Sequence, residues 1–272
     1  LSMVYKVEYE VDANDGYGKE KDFFNMREVY AGVSSKTFGT VEGGKIDSPL
    51  KLLQIKVDQF LDLTAGDGKY LLPGKNRDDF TYLYKTPTFY GLTASMATID
   101  FKRVDNESSK PVDQRGSSIS LSWAGDKLLT DSDKLYVAVA RDNGVRDLDI
   151  NRIAIQYKFS DFTLGALAQD ADKRAPGKTF PTKFRDESGY FMNAAWDITP
   201  SDTVKVQWGR SQQIEKDGAL FAVGYDHKIS KDLKVYVFHS EINGQEDRGP
   251  KSDRTLQSNG IGVEYAFDLF SI

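Results

Sequence analysis

The sequence predicts an all-β fold on three observations. Apolar residues recur with a period of two rather than 3.6 in about fourteen segments. The connections between these segments are alternately tight and long, as an up-and-down meander with turns at one end and loops at the other requires. A Greek-key sandwich would not sort its loops in this way. Helical periodicity is confined to one stretch, and no apolar run approaches the ~18 residues of a membrane-spanning helix. The composition agrees with a folded chain: 272 residues with 36 Lys or Arg against 41 Asp or Glu, a net charge of −5, and 12 % aromatics. That charge excess is too small and the aromatic content too large for a disordered segment. The acidic balance argues against a nucleic-acid partner. The mean hydropathy of −0.50, taken alone, describes a soluble protein of one or two domains. Cysteine is absent, which excludes disulfide and thiolate chemistry. His227 and His239 are the only histidines and have no metal-ligand spacing, so neither a metal nor a cofactor is expected. The opening Leu1-Ser2-Met3-Val4-Tyr5 does not read as a signal peptide, so any targeting segment is expected upstream or removed.

The segments run as follows. Tyr5, Val7, Tyr9 and Val11 alternate with Lys6, Glu8 and Glu10. Phe80, Tyr82 and Tyr84 alternate with Asp79, Thr81 and Lys85, and Ile119, Leu121 and Trp123 with Ser118, Ser120 and Ser122. Ile153, Ile155, Tyr157 and Phe159 alternate with Arg152, Ala154, Gln156 and Lys158. Val204, Val206 and Trp208 follow, then Leu233, Val235 and Val237, and last Ile261, Val263, Tyr265 and Phe267. Tight connections are read at Ser34-Ser35-Lys36, Phe159-Ser160-Asp161, Thr199-Pro200-Ser201-Asp202 and Ile229-Ser230-Lys231-Asp232. Long polar ones are read at 12–25, 102–114, 170–186 and 243–256. No linker or second domain is visible.

Each segment thus has one apolar and one polar face. Aromatics gather near segment ends, at Tyr5, Tyr9, Tyr30, Phe80, Tyr84, Tyr90, Phe159, Phe162, Tyr190, Trp196, Tyr225, Tyr265 and Phe267, while Val, Ala, Leu and Ile fill the middles. Outer-membrane barrels place aromatic girdles at both interfaces around a polar lumen. A soluble barrel or sandwich would bury the apolar face, but its interior would not admit Lys6, Glu8, Glu10, Arg152 and Lys158. The pattern therefore predicts a transmembrane antiparallel up-and-down β-barrel, with a soluble β-sheet binding protein as the competing reading.

Residues 48–76 break the meander. Leu50, Leu53, Val57 and Leu61 have helical spacing, and Asp58 and Asp62, four apart, are expected on the opposite face of a short helix. A long loop with its own helix is uncommon and often functional. Around it stand Arg27-Glu28-Val29-Tyr30-Ala31-Gly32-Val33, Phe38-Gly39-Thr40-Val41-Glu42-Gly43-Gly44-Lys45, Arg77-Asp78-Asp79-Phe80 and Tyr84-Lys85-Thr86-Pro87-Thr88-Phe89-Tyr90-Gly91-Leu92. Near the end come Gly224-Tyr225-Asp226, Ile229-Ser230-Lys231 and Gly262-Val263-Glu264-Tyr265-Ala266-Phe267. In order and spacing these motifs resemble the strands and turns of the Gram-negative general-diffusion porins, and the resemblance spans essentially the whole chain.

The resemblance implies a single barrel domain over residues 1–272, with 48–76 folded inward as a pore-constricting loop. It implies a water-filled outer-membrane channel for passive diffusion of ions and small hydrophilic solutes. A homotrimer in contact with outer-membrane lipid and lipopolysaccharide is implied as well. Asp58 and Asp62 match the family's loop acids, and Arg27 and Arg77 match two arginines of the facing wall. Leu1 to Val11 resembles the family's third strand, so two strands of its sixteen are expected to be missing, leaving about fourteen. By alternation Val41, Gly43 and Lys45 share the outward face, and Lys45 is expected at a subunit contact. Arg115, Arg152, Lys158, Lys205 and Lys234 are expected to extend a basic track in the lumen, with Glu8, Glu10, Asp226 and Glu264 opposing it. Phe267 or Phe270 is the candidate for the family's terminal aromatic residue.

Enzymatic readings find little support. Asp58 and Asp62 could form a carboxylate pair for glycoside hydrolysis, but the sequence gives no separation. The stretch from Gly68 to Lys75 is one residue too long for a phosphate loop, and Asn76 replaces the required Ser or Thr. A substrate-specific outer-membrane channel is the other alternative. It would need an aromatic lining, for which Phe191, Tyr236 and Phe238 are the inward candidates.

Overall fold

The computed structural model describes residues 1–11, 24–104, 111–126, 134–174, 187–213, 218–245 and 254–266. Among these residues fourteen strands follow one another: β1 (Ser2–Val11), β2 (Phe24–Ser35), β3 (Gly39–Asp47), β4 (Arg77–Lys85), β5 (Leu92–Val104), β6 (Pro111–Asp126) and β7 (Lys134–Val145) form the first half. The second half is β8 (Leu148–Phe159), β9 (Phe162–Lys173), β10 (Glu187–Asp197), β11 (Asp202–Ser211), β12 (Gly218–Lys228), β13 (Leu233–Gln245) and β14 (Arg254–Tyr265). They pair antiparallel in strict chain order as one sheet, with β1 and β14 at its two edges. The helix α1 (Pro49–Val57) lies between β3 and β4.

The register follows from the alternation. Leu121, Val139, Ile153, Ala168 and Tyr190 stand opposite one another across β6 to β10 and point outward. Ser120, Ala140, Arg152 and Gln169, one residue along, form the matching inward row. A slip of one residue would exchange the two sets, so the pattern fixes the pairing. The outward row is exposed and the inward row is not: Leu164 is 44 % exposed and Leu167 1 %, Phe221 45 % and Leu220 0 %. A continuous exposed apolar band of this kind suits lipid rather than water.

Aromatic rings mark the band's limits. At the tight-turn end Tyr157, Phe159, Phe162 and Trp196 stack in series with centroids 5.4, 5.6 and 5.8 Å apart. Toward the other end Tyr190 meets Trp208 edge-on at 5.7 Å. Tyr190 and Trp196 share β10, and six residues of strand separate them by about 20 Å.

Two expectations about connections are corrected. Residues 102–104, 111–114, 170–173, 243–245 and 254–256, expected in loops, belong to strands; they are rich in polar residues because they lie at strand ends. The loop end is also not uniformly long. β7 and β8 are joined by Arg146 and Asp147 alone, with φ of 51° and 58°, the left-handed pair that a two-residue hairpin uses. The remainders of the long connections, 12–23, 105–110, 175–186 and 246–253, lie outside the described residues, as do Phe267 and Phe270.

The inward face is not uniformly charged either. The loop 48–76 packs against it, burying Leu50, Leu53, Val57, Ala65, Leu71 and Leu72 against Ala138, Ala140, Ile150, Ala154, Leu167, Phe191, Leu220 and Ile242. A smaller inward cluster joins Ile46, Leu83, Ala97, Ile99, Phe101 and Val145. The core therefore sits inside the curled sheet, between loop and wall, and charged inward residues stand beside it on β1 and β2, on β8 and on β11 to β14.

Candidate functional site

The loop is shaped by its own polar residues. Ser48 caps α1, its Oγ accepting from Lys51 N at 3.2 Å, and Pro49 occupies the first helical turn, where its missing N–H costs nothing. The helix ends at Val57. Asp58 is its extended C-cap, and its carboxylate accepts from Phe60 N at 3.0 Å and Gly68 N at 2.8 Å. Such side-chain-to-backbone bonds compete with helix continuation. Asp62 lies beyond, with φ of +63°, so Asp58 and Asp62 do not share a helix face as the spacing suggested.

The wall holds the loop through its carbonyls. Arg152, buried on β8, donates to Leu50 O at 3.0 Å, Pro73 O at 2.7 Å and Gln169 Oε1 at 2.7 Å, tying both limbs of the loop to one side chain. Gln156 donates to Lys56 O at 2.9 Å, Asn193 to Val57 O at 2.7 Å, Gln207 to Gly66 O at 2.9 Å and Ser240 to Thr64 O at 2.6 Å. Donors from β8 through β13 thus satisfy backbone groups that burial would otherwise leave unpaired.

At its far side the loop reaches β2. Asp62 pairs with Arg27 Nη2 at 3.2 Å and with Lys75 Nζ at 3.1 Å. Arg27 also pairs with Glu8 at 2.8 Å and lies 4.0 Å from Glu10. Lys6 pairs with Glu8 at 2.8 Å and with Glu28. One loop touching β2 and β6 through β13 requires the sheet to curl around it. Against the effect of partial burial, Lys75 and then Arg27 hold the Asp62 carboxyl below its usual range. Lys75 is also bonded to Asp67, and these two carboxylates hold its ammonium form above the usual lysine range despite burial.

Of the expected constriction residues, Arg27 and Asp62 are brought together, and Glu8 and Glu10 stand beside them. Asp58 is not at the lumen: it is buried, accepting also from Gln54 at 3.2 Å and Gln207 at 3.0 Å. Burial, and after it the neighbouring Asp67, push its carboxyl up to about 6. Arg77 faces neither loop acid but pairs with Asp47 at 2.6 Å, which also binds Lys51 at 2.6 Å, bracing the root of the loop. Arg152 points inward as expected, but loop contacts enclose it. Lys158 is inward near the tight turns, 3.3 Å from Asp197. Arg115 is not a lumen charge. It stands opposite Asp100, on the face of exposed Phe80, pairing with Asp100 at 2.6 Å. Lys45 lies outward opposite Val29 and pairs with Asp79 at 3.0 Å.

Lys6, Glu28, Asp67 and Lys75 complete the charged cluster and were not singled out as site residues. Lys6 alternates with Tyr5 and Val7, which placed it inward without a role. Lys75 was visible only as a failed phosphate-loop motif.

A family model described as Gram-negative porin matches residues 1–247. Among solved structures, the anion-selective porin from Comamonas acidovorans superposes with a TM-score of 0.66 at 18 % identity, over 97 % of this chain and 84 % of that one. A loop L8 deletion mutant of OmpT, an outer membrane protein of Vibrio cholerae, gives 0.66 at 13 % identity over 96 % and 84 %. A mutant of Rh. blastica porin gives 0.61 at 16 % identity over 97 % and 89 %. A search of curated protein sequences returned no match.

Proposed function

The chain belongs to the Gram-negative porin family, an outer-membrane channel for passive diffusion of small solutes, and on that footing we propose that Arg27, Asp62 and Lys75 form its constriction. The direct Arg27–Asp62 pair between loop and facing wall is the observation that supports this. Family and fold point to a channel rather than to an enzyme. Residues 1–272 act as one barrel domain, and residues 48–76 narrow its lumen.

Selection at the constriction is by size and local field. Three cations (Lys6, Arg27, Lys75) interleave with four carboxylates (Glu8, Glu10, Glu28, Asp62) at ion-pair distances. Opposite charges in contact make short dipoles along the wall, rather than the broad transverse field that separated acids and arginines would create. Low-dielectric walls focus what field remains, and lumen charges set ion preference. Passing solutes must exchange hydration for these groups. The resemblance further supports a homotrimer, with the outward Lys45–Asp79 pair at the contact between subunits.

Planar-bilayer recording of the detergent-purified protein tests the reading. Stepwise, long-lived currents carried by both ions of a simple salt are expected, as is a gel mobility that changes on boiling. A protein that stays soluble without detergent and inserts no channel would overturn it.

A further inference from the structure

The inward face of β13 carries two rings that are only partly buried. Tyr236 and Phe238 have centroids 6.4 Å apart, and neither belongs to the apolar cluster that seals the loop to the wall. Phe191, by contrast, is fully buried beneath the loop. The neighbours of Phe238 across the sheet are Gly224 and Gly260, and those of Tyr236 are Asp226 and Gly262. A Cβ added at Gly260 or Gly262 would collide with the Phe238 or Tyr236 ring respectively. The two rings therefore lean over a stretch of β14 that carries no inward side chain.

Charged groups frame the pair in balance. Lys205 pairs with Asp226 at 3.0 Å, and Lys234 with Glu264 at 2.6 Å and Asp226 at 3.8 Å. Lys234 Nζ also lies 5.9 Å from the Tyr236 ring centre, and Lys205 Nζ 5.2 Å from that of Phe60. Two ammoniums and two carboxylates cancel, so the group gives a passing ion little net attraction. It nevertheless presents donors and acceptors on both sides of an apolar surface. An apolar platform with a few polar groups at its margin is the usual make-up of a small-molecule site.

We propose that Tyr236 and Phe238 form a lumen subsite for neutral saccharides. The apolar face of a sugar ring rests on the aromatic pair, while Lys205, Asp226, Lys234 and Glu264 exchange hydrogen bonds with its hydroxyls. A linear polyol has the hydroxyls but no flat apolar face, and a simple ion has neither. The inference rests on the porin reading, since the solute must first enter the lumen.

Single-channel current in concentrated KCl, with maltose or sorbitol added at equal concentration, separates the possibilities. Maltose is expected to reduce the current saturably and to add current noise, while sorbitol lowers it only in proportion to viscosity. In the Tyr236→Ala/Phe238→Ala double variant the half-saturating maltose concentration should rise about tenfold, as the loss of two ring contacts implies. Should that variant fail to insert, Phe238→Leu must weaken maltose block and Tyr236→Phe must retain it. Equal effects of maltose and sorbitol on the wild type overturn the subsite, as does an unchanged half-saturation in the variants. Absence of any current in sugar-free salt instead refutes the porin reading, and the subsite falls with it.

Discussion

Asp62→Asn isolates the electrostatics of the proposed constriction. The carboxylate lies 3.2 Å from Arg27 and 3.1 Å from Lys75, and the amide keeps its size while removing one negative charge. An ion passing about 8 Å away interacts with a unit charge by ~0.5 kcal/mol in water. The cation loses that attraction and the anion loses an equal repulsion, a combined ~1 kcal/mol. Screening over a Debye length of ~8 Å leaves roughly half of it, or about a twofold change in the cation-to-anion permeability ratio. The assay is the reversal potential of the reconstituted channel in a salt gradient. Asp62→Asn should move it toward anions and Arg27→Ala toward cations. Arg115→Ala is the control, because its side chain is 71 % exposed on the outward face and bound to Asp100; it should leave the potential in place. A wild-type potential in Asp62→Asn, or an equal shift in Arg115→Ala, would refute the reasoning.

Arg152→Met removes a buried charge together with its donors to Leu50, Pro73 and Gln169. Stranding those acceptors should cost about 3 kcal/mol, seen as a lower thermal midpoint in detergent and a noisier current as the loop loosens. Gly74→Ala forces a Cβ into a residue with φ of +98°, 2.6 Å from Leu50 Cδ2 and 2.9 Å from Ile150 Cδ1; a loss of ~1–3 kcal/mol is expected from the same melting measurement. For Asp58, the folded pKa of about 6 lies above the ordinary 3.8, so the folded chain binds a proton that the unfolded chain does not between these values. Its contribution therefore favours the fold as pH falls through 6 and disfavours it as pH rises. Asp58→Asn should remove that part of the pH dependence of the melting midpoint between about pH 4 and 6. If Lys45 stands at the proposed trimer contact, Lys45→Ala should lower the temperature at which the trimer dissociates, by an amount consistent with a surface pair worth under ~1 kcal/mol; an unchanged dissociation temperature removes Lys45 from that contact.

Period-two alternation made the wall legible in the sequence because one face had to be apolar throughout. The inner side was harder to read. Ala140, Ala154, Leu167 and Leu220 are apolar inward residues, and alternation alone cannot tell a strand with two apolar faces from a buried helix segment. Their reason is the loop, whose packing partner is hidden until the chain is folded. Arg152 illustrates the same limit. Its inward direction followed from Ile153, but the carbonyls of Leu50 and Pro73 that occupy it lie 102 and 79 residues away. Asp58 and Asp62 were separated by a backbone turn that helical spacing does not encode, since the Asp58 side chain itself stops the helix. Alternation puts Arg115 inside only where polar residues mark the lumen. Near a strand end, opposite Asp100, a charged pair can face outward beyond the lipid band.

The shared core between loop and wall limits how pore size can change. Excising residues 48–76 would not leave a wider aqueous channel. It would expose Ala138, Ile150, Leu167, Phe191, Leu220 and Ile242 to water on one side of the lumen, and strand the Arg152 guanidinium. Larger solutes are therefore more readily accommodated by trimming individual side chains at the tip, around Asp62 and Lys75, than by shortening the loop. Any lineage that loses the loop must recolour the wall beneath it, residue by residue, from oil to water.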